Sequence, residues 1–244
     1  TFLALKRNTV LLLIALVLAG TGEKLWVGFA PKYLQVLGAG VVIIGLFDGL
    51  QTLLGALYAY PGGWLTDYLG QRLSLLLFSL VSLCGYFLVL FWSHWIALLL
   101  GSFLFLAWSA LSLPATFAVV ASSLHERKYT MGIGVQSFVR RVPMMLGPLA
   151  GGWLITRYGW LQGIRLALVG CIFLTLLTLI FQWFMIEPAL VARSKVGIPP
   201  GLRFKAVVGS FSPKLRELLI SDILIRFCER IPYVWVIVWA INHA

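Results

Sequence analysis

Charged residues are scarce in this sequence. Asp, Glu, Lys and Arg make up 11% of its 244 residues, whereas 61% are hydrophobic and the mean hydropathy is +0.97. A soluble globule of this length needs more polar side chains than that to cover its surface. The composition therefore excludes an ordinary soluble domain and predicts a chain that is solvated largely by lipid.

Reactive and metal-binding side chains are also few. The three cysteines and three histidines have no CxxC pair and no other metal-ligand spacing. The HExxH, phosphate-binding-loop and GxSxG patterns of enzymes are missing as well. We therefore expect no catalytic residue, no metal site and no cofactor, and we expect that the chain is not an enzyme.

Long apolar segments are the main feature that the sequence does have. An α-helix needs about 20 mostly apolar residues to cross about 30 Å of hydrocarbon. Segments of that length occur at residues 8–31, 40–61, 73–92, 95–123, 131–156, 164–186 and 218–241. They predict an all-α membrane protein with seven spans.

The basic residues fall mostly on one side of the membrane when these spans alternate in direction. Because cytoplasmic loops are rich in Lys and Arg, we expect the N-terminus and the polar segment 187–217 to lie in the cytoplasm. The membrane would be a plasma membrane or a bacterial inner membrane. This distribution accounts for the formal net charge of +11 without a nucleic-acid partner, which we do not expect.

A short sequence repeat divides the first six spans into two units. Gly-Gly-Trp-Leu occurs at residues 62–65, in the predicted break after span two, and again at 151–154, in the predicted break after span five. One copy would lie inside the cell and the other outside. This placement predicts an inverted repeat of two three-helix units, which is a common plan in transporters.

The seventh span resembles the first. Gly22-Glu23-Lys24-Leu25 in span one is similar to Cys228-Glu229-Arg230-Ile231 in span seven. Span seven therefore looks like the start of a second half. We expect a six-helix bundle at 1–186, a basic cytoplasmic linker at 187–217 and the first helix of a second bundle at 218–244, so that the chain is a fragment.

A motif between spans two and three has a known counterpart. The order Gly63-x-Leu65-Thr66-Asp67-x-x-Gly70-Gln71-Arg72 resembles the cytoplasmic loop signature of the major facilitator superfamily. The resemblance implies two six-helix bundles, so the five remaining helices of the second bundle would be partners of this chain. It also implies that Asp67 and Arg72 help to hold a cytoplasmic gate. Tyr68 and Gln71 replace residues that are commonly basic in the family, which would weaken this gate.

The same residues have simpler physical roles. Gly63 and Gly70 permit tight turns and close helix approach. Asp67 would lie just before span three, where the helix dipole favours a negative charge. Arg72 could serve only as a basic anchor at the cytoplasmic surface. The alternatives of gate and local cap stay open.

Span five carries a second family-like feature. Its GP-x-x-GG stretch, Gly147, Pro148, Gly151 and Gly152, is similar to the fifth helix of the family. These residues would kink and thin the helix, so that they serve either as a hinge or as a surface for close packing.

Charged residues inside the predicted spans are the candidates for binding. Such a residue costs several kcal/mol in hydrocarbon unless it faces a partner or a cavity. Arg140 and Asp48 would lie near the middle of their spans, and Glu23 could pair with Lys24 or with another helix. The candidate substrate-binding or ion-binding residues are Glu23, Asp48, Arg140, Arg226 and Glu229.

Together these patterns predict a secondary transporter that moves a small solute by alternating access, driven by a gradient of the substrate or of a proton or cation. The mixed charges suit a polar or zwitterionic solute. One alternative is a drug or metabolite efflux antiporter of the same family, although Pro143 replaces a glycine that is usual in such antiporters and span four lacks their intramembrane arginine. Another alternative is a non-transporting receptor with the same fold.

Overall fold

A computed structural model describes residues 7–123 and 129–184 continuously, together with isolated positions between 212 and 239. The helices are α1 (Arg7–Lys24), α2 (Ala30–Val36), α3 (Val41–Leu69), α4 (Gln71–Phe91), α5 (Trp95–Ser123) and α6 (Tyr129–Trp183). A 3-10 turn, Val27–Phe29, connects α1 to α2. In these described ranges no residue is in a strand, and the predicted all-α class is confirmed.

Several helices are long and apolar enough to cross a membrane. Among the described residues, four segments meet both conditions, and a shorter apolar helix covers Trp95–Ser109. The four segments are Val10–Val36, Val41–Tyr58, Arg72–Phe91 and Arg141–Trp183. The last of them contains the predicted fifth and sixth spans in part. The prediction of a membrane protein with several spans is confirmed, whereas the orientation of its ends stays a prediction.

The first predicted span, 8–31, corresponds to the apolar segment Val10–Val36, and its helix is interrupted. Helix α1 closes with a hydrogen bond of 3.0 Å from the Leu25 amide to the Thr21 carbonyl. The chain then makes the 3-10 turn and continues as α2 to Val36. Gly28 lies in this turn and Pro31 in the first turn of α2, where proline is tolerated because its position needs no amide donor.

The two GGWL copies are helical, and each predicted break, 61–70 or 150–159, has its turn at its last residue. Helix α3 runs through the first copy to Leu69, and α6 runs through the second. After each copy, the backbone turns at a later glycine. This is Gly70, with φ 89°, after the first copy and Gly159, with φ 77°, after the second. Both turns come eight residues after the first glycine of their copy, from 62 to 70 and from 151 to 159. The repeat thus extends to the backbone, because only glycine adopts this conformation readily.

Gly159 divides α6 into two arms, 129–158 and 160–183. Close to this turn, a Cβ on Gly163 would lie 2.7 Å from the Cα of Ile155. The absence of a side chain at Gly163 therefore lets the second arm start directly against the end of the first.

The core of this part of the chain joins α1, α4 and α5. Leu12, Leu16, Leu75, Phe78 and Trp108 form one buried cluster. Ser82 of α4 accepts a hydrogen bond of 2.8 Å from the Trp108 amide of α5. The side chain of Ser82 therefore connects two helices within an otherwise apolar interface.

Backbone contacts divide the chain into two compact units, Thr1–Val191 and Ala192–Ala244. All the helices above belong to the first unit. In the second unit, the described positions between 214 and 225 are helical and exposed. The domain boundaries at 186 and 217 and the seventh span stay predictions.

Candidate functional site

Glu23 and Lys24 form an ion pair at the end of α1. The Lys24 ammonium donates a hydrogen bond of 3.0 Å to Oε1 of Glu23. Consecutive residues on a helix do not normally face each other, but α1 ends at Lys24 and the long lysine side chain bends back. Glu23 is only 7% exposed. Two charges within one predicted span thus neutralise each other, which lowers the cost of placing them there.

A group of buried aromatic rings follows directly after this pair. Trp26 packs edge-on against Phe105 of α5, with ring centroids 4.9 Å apart, and against Tyr86 of α4 at 6.3 Å. Tyr86 in turn stacks on Phe105 at 6.0 Å. All three rings are almost completely buried. Helices α4 and α5 therefore supply an apolar wall beside the break in the first span.

The second arm of α6 completes the surroundings of Glu23. The Glu23 carboxylate is close enough to interact electrostatically with Tyr86 of α4 and with Cys171 of this arm. Cys171 is buried against Gly22, where an added Cβ would lie 3.3 Å from the Cys171 sulfur. The carboxylate therefore lies near buried side chains of α4 and α6.

The first arm of α6 carries the glycines on which the end of α1 packs. A Cβ on Gly147 would collide with Lys24, and a Cβ on Gly151 would collide with the carbonyl oxygen of Leu25. A Cβ on Gly152, by contrast, would make only an ordinary contact of 3.6 Å with Phe29. The end of α1 and the first arm of α6 thus approach closely at Gly147 and Gly151, and the packing role stays a prediction.

The hinge role of this stretch is a separate question. The backbone stays helical from Gly147 to Gly152, and Pro148 is exposed. The non-helical residue of α6 is Gly159. A hinge at Gly147, Pro148, Gly151 and Gly152 therefore stays a prediction.

The loop motif is more helical than expected. The Thr66 hydroxyl donates to the Gly62 carbonyl at 2.7 Å, and the Gly70 amide donates to the Thr66 carbonyl at 3.1 Å. The last turns of α3 therefore include Gly63 and Asp67, and the residue directly before α4 is Gly70. The Asp67 side chain lies outside the described residues.

Arg72 binds the far end of the same unit. Its Nη2 donates a hydrogen bond of 2.6 Å to the carbonyl oxygen of Trp183, and its guanidinium lies 5.3 Å from the centre of the Trp183 ring. The resemblance implied contacts between Arg72 and a second bundle. In this structure, Arg72 contacts the last residue of α6.

The other candidates from the sequence are Asp48, Arg140, Arg226 and Glu229. Asp48 is half-buried on α3, which packs against α5. Arg140 is on helical backbone in α6, but its side chain is outside the described set, as are Arg226 and Glu229. The candidate site supported by geometry is therefore Glu23 with Lys24, between α4, α5 and α6.

Sequence reasoning missed Tyr86, Phe105, Cys171 and Trp183. Aromatic residues inside apolar spans look the same whether they surround a charge or only fill a core, so no signal could have selected them. Gln182 was a better opportunity, because a buried amide in a span needs a partner. Its Oε1 accepts a hydrogen bond of 2.9 Å from the Ser79 hydroxyl.

Comparisons with known proteins agree with this architecture. The chain is 28% identical over 229 residues to Multidrug resistance protein MdtG of Citrobacter koseri, covering 91% of this chain and 54% of that protein. It is 29% identical over 230 residues to the protein of the same name from Enterobacter lignolyticus, covering 91% and 53%. The chain thus spans about half the length of the curated relatives that it matches.

The family model of the Major Facilitator Superfamily matches residues 12–242. This range includes the loop motif, both GGWL copies and the Glu23–Lys24 pair. The chain therefore belongs to the Major Facilitator Superfamily.

Proposed function

We propose that this chain is part of a secondary transporter that moves a small solute across the membrane by alternating access. Membership in the Major Facilitator Superfamily and the membrane-length helices support this proposal. The broken first span also supports it, because transporters commonly place ion and substrate sites at interrupted helices.

The buried carboxylate of Glu23 is the observation that carries the proposal. A charged group inside a span costs several kcal/mol, so such groups are kept mainly where they have a function. Glu23 lies at the break and is paired with Lys24 at 3.0 Å. Glu23 is therefore our proposed site for the coupling proton or cation, and Lys24 compensates its charge when that ion is absent.

The remaining charged candidates belong to the same proposal. Asp48, Arg140, Arg226 and Glu229 would bind the solute or a second ion, and Gly63, Asp67, Gly70 and Arg72 would form the cytoplasmic gate. A cavity with both signs of charge suits a polar or zwitterionic solute.

A flux measurement tests this function. The intact protein is reconstituted in liposomes with an imposed proton gradient, and transport of fluorescent probes of different charge is followed. Gradient-dependent flux that a protonophore abolishes is the expected result. Binding of a probe without any flux would instead indicate a receptor that has kept the fold.

Drug efflux is a second candidate because both relatives above carry the name Multidrug resistance protein. The discriminating experiment is the export of ethidium from cells that express the intact protein. Export that raises resistance to ethidium favours the antiporter, whereas uptake of a polar solute without ethidium export favours the first candidate.

A further inference from the structure

Helix α4 and the second arm of α6 are joined at both ends. Contacts along α4 run from Arg72 through Ser79 to Ser93, just beyond the helix, and their partners on the second arm run from Trp183 through Gln182 back to Arg165. The two helices are therefore antiparallel. We propose that Arg72 and Arg165 are a pair of clamps that hold these two helices together as one rigid unit during transport.

The first clamp lies at the start of α4. Arg72 is the second residue of this helix and bonds the main-chain carbonyl of Trp183, the last residue of α6. The last carbonyls of a helix have no partner within the helix and carry partial negative charge, so a guanidinium is favoured there. Its position over the Trp183 ring adds a cation–π contact.

The second clamp lies at the opposite end. Arg165 is near the start of the second arm, and its Nη2 donates a hydrogen bond of 2.7 Å to the Ser93 hydroxyl. Ser93 comes two residues after Phe91, the last residue of α4. In both clamps, then, an arginine from the first turns of one helix binds just at the end of the other.

This reciprocity follows the internal repeat. Helix α4 starts after Gly70 and the second arm starts after Gly159, and these two glycines have nearly the same backbone angles, φ 89° and ψ 163° against φ 77° and ψ 171°. The two helices therefore hold equivalent places in the two repeats. Their arginines are not at equivalent positions, since Arg72 is two residues after its glycine and Arg165 is six, so each clamp has its own side-chain geometry.

A buried contact between the clamps prevents sliding. The Ser79 hydroxyl donates to Gln182 Oε1 at 2.9 Å, and both side chains are completely buried. If one helix slid along the other, these two polar groups would separate and stay buried without a partner. That costs more free energy than breaking a hydrogen bond exposed to solvent. The pair is therefore fixed in register close to the Arg72 clamp and held at its other end by the Arg165 clamp.

The role of this unit in the transport cycle rests on the proposed function, but the clamps can be tested without flux. Pairs of spin labels are attached to exposed positions of the intact protein, Leu73 with Phe184 at the Arg72 end and Trp92 with Leu161 at the Arg165 end. Dipolar broadening of the spectra reports the separation within each pair. The substitution Arg72→Gln removes the first clamp, and Arg165→Gln removes the second. Arg72→Lys is a further variant that keeps the positive charge but not the planar guanidinium.

We expect Arg72→Gln to widen the distance distribution of the first label pair about twofold and to leave the second pair unchanged, with Arg165→Gln doing the reverse. Arg72→Lys should give an intermediate width, because lysine keeps the hydrogen bond but stacks poorly on the indole. Unchanged widths in both Gln variants would overturn the proposal, even if the protein transports. Equal widening at both ends in one variant would also overturn it, since that indicates general loosening of the helices.

Helical content measured by circular dichroism verifies that each variant is folded. A protein that shows end-specific widening but no flux would contradict only the transport function.

Discussion

The Lys24 ammonium lies 3.0 Å from the carboxylate of its neighbour Glu23, at the last residue of α1. This pair is central to both the stability and the proposed function of the first span. Removing one partner leaves the other charge in a largely apolar setting, whereas removing both leaves no charge there.

The first prediction concerns this pair. Glu23→Gln or Lys24→Met alone should each lower the free energy of unfolding by about 1–2 kcal/mol, less than for a fully buried pair because Lys24 is partly exposed. The double variant should lose less than the sum of the two. Thermal unfolding in detergent measures all three. Additive losses would show that the two charges do not interact.

The same variants test the proposed coupling. Glu23→Gln should reduce proton-driven flux at least tenfold, whereas Lys32→Gln should leave it unchanged. Lys32 is a suitable control because it donates an exposed hydrogen bond to Gln35 on the same helix, at 3.0 Å. Full proton-driven flux in Glu23→Gln would exclude Glu23 as the coupling site.

A second prediction concerns the glycines of α6. Gly151→Ala should destabilise the protein by roughly 3 kcal/mol or more, because its Cβ would meet the rigid carbonyl of Leu25. Gly152→Ala is the matched control on the same helix, where the new Cβ would make an ordinary contact of 3.6 Å. There alanine should stabilise the helix by about 0.5–1 kcal/mol. Equal melting temperatures for the two variants would contradict the packing of α1 on α6.

A third prediction concerns the turns that end the two repeats. Gly70→Ala and Gly159→Ala should each cost about 1–3 kcal/mol, because alanine rarely adopts their positive φ angles. No neighbouring atom lies close to a Cβ on Gly159, so its loss would measure backbone strain alone. Guanidinium or thermal titration followed by circular dichroism gives the comparison, and a neutral Gly159→Ala would show that this turn is not built as described.

A fourth prediction concerns Ser79 and Gln182. Ser79→Ala should cost about 1–3 kcal/mol because it leaves the buried amide without its partner. The additional change Gln182→Leu should recover part of that loss, since both polar groups are then gone. Unfolding of the two single variants and the double variant separates this contact from simple packing. A double variant as unstable as the two losses combined would argue against a direct bond.

Much of the fold could be predicted from the sequence. The apolar segments that became α3, α4 and α5 were found because length and hydropathy are properties of a few neighbouring residues. The GGWL repeat was also visible, but which glycine of each copy makes the turn was not. The sequence does not show whether a glycine lies inside a helix or at a turn. Gly63 is helical and Gly70 has a positive φ angle, and only the structure distinguishes them.

The candidate site was predicted only in part. Glu23 was selected because a charge in a span requires a partner, and Lys24 was one of the two partners considered, the other being a residue of another helix. Their surroundings could not be selected, because Tyr86, Phe105 and Cys171 come from three other helices and look like ordinary core residues. The role of Arg72 was expected from the resemblance to lie with a second bundle, and its contact with Trp183 was not foreseen.

The sequence by itself therefore determined that this chain is helical, lies in a membrane and belongs to the Major Facilitator Superfamily, because hydropathy, turn glycines and the loop motif are encoded locally. Only the tertiary structure decided where the first span breaks and which residues meet. Leu25, directly after α1, lies against Gly151 of α6, and Arg72 binds Trp183, which is 111 residues away. Such contacts depend on how closely two backbone segments that are far apart in sequence approach each other. The local sequence does not specify that distance.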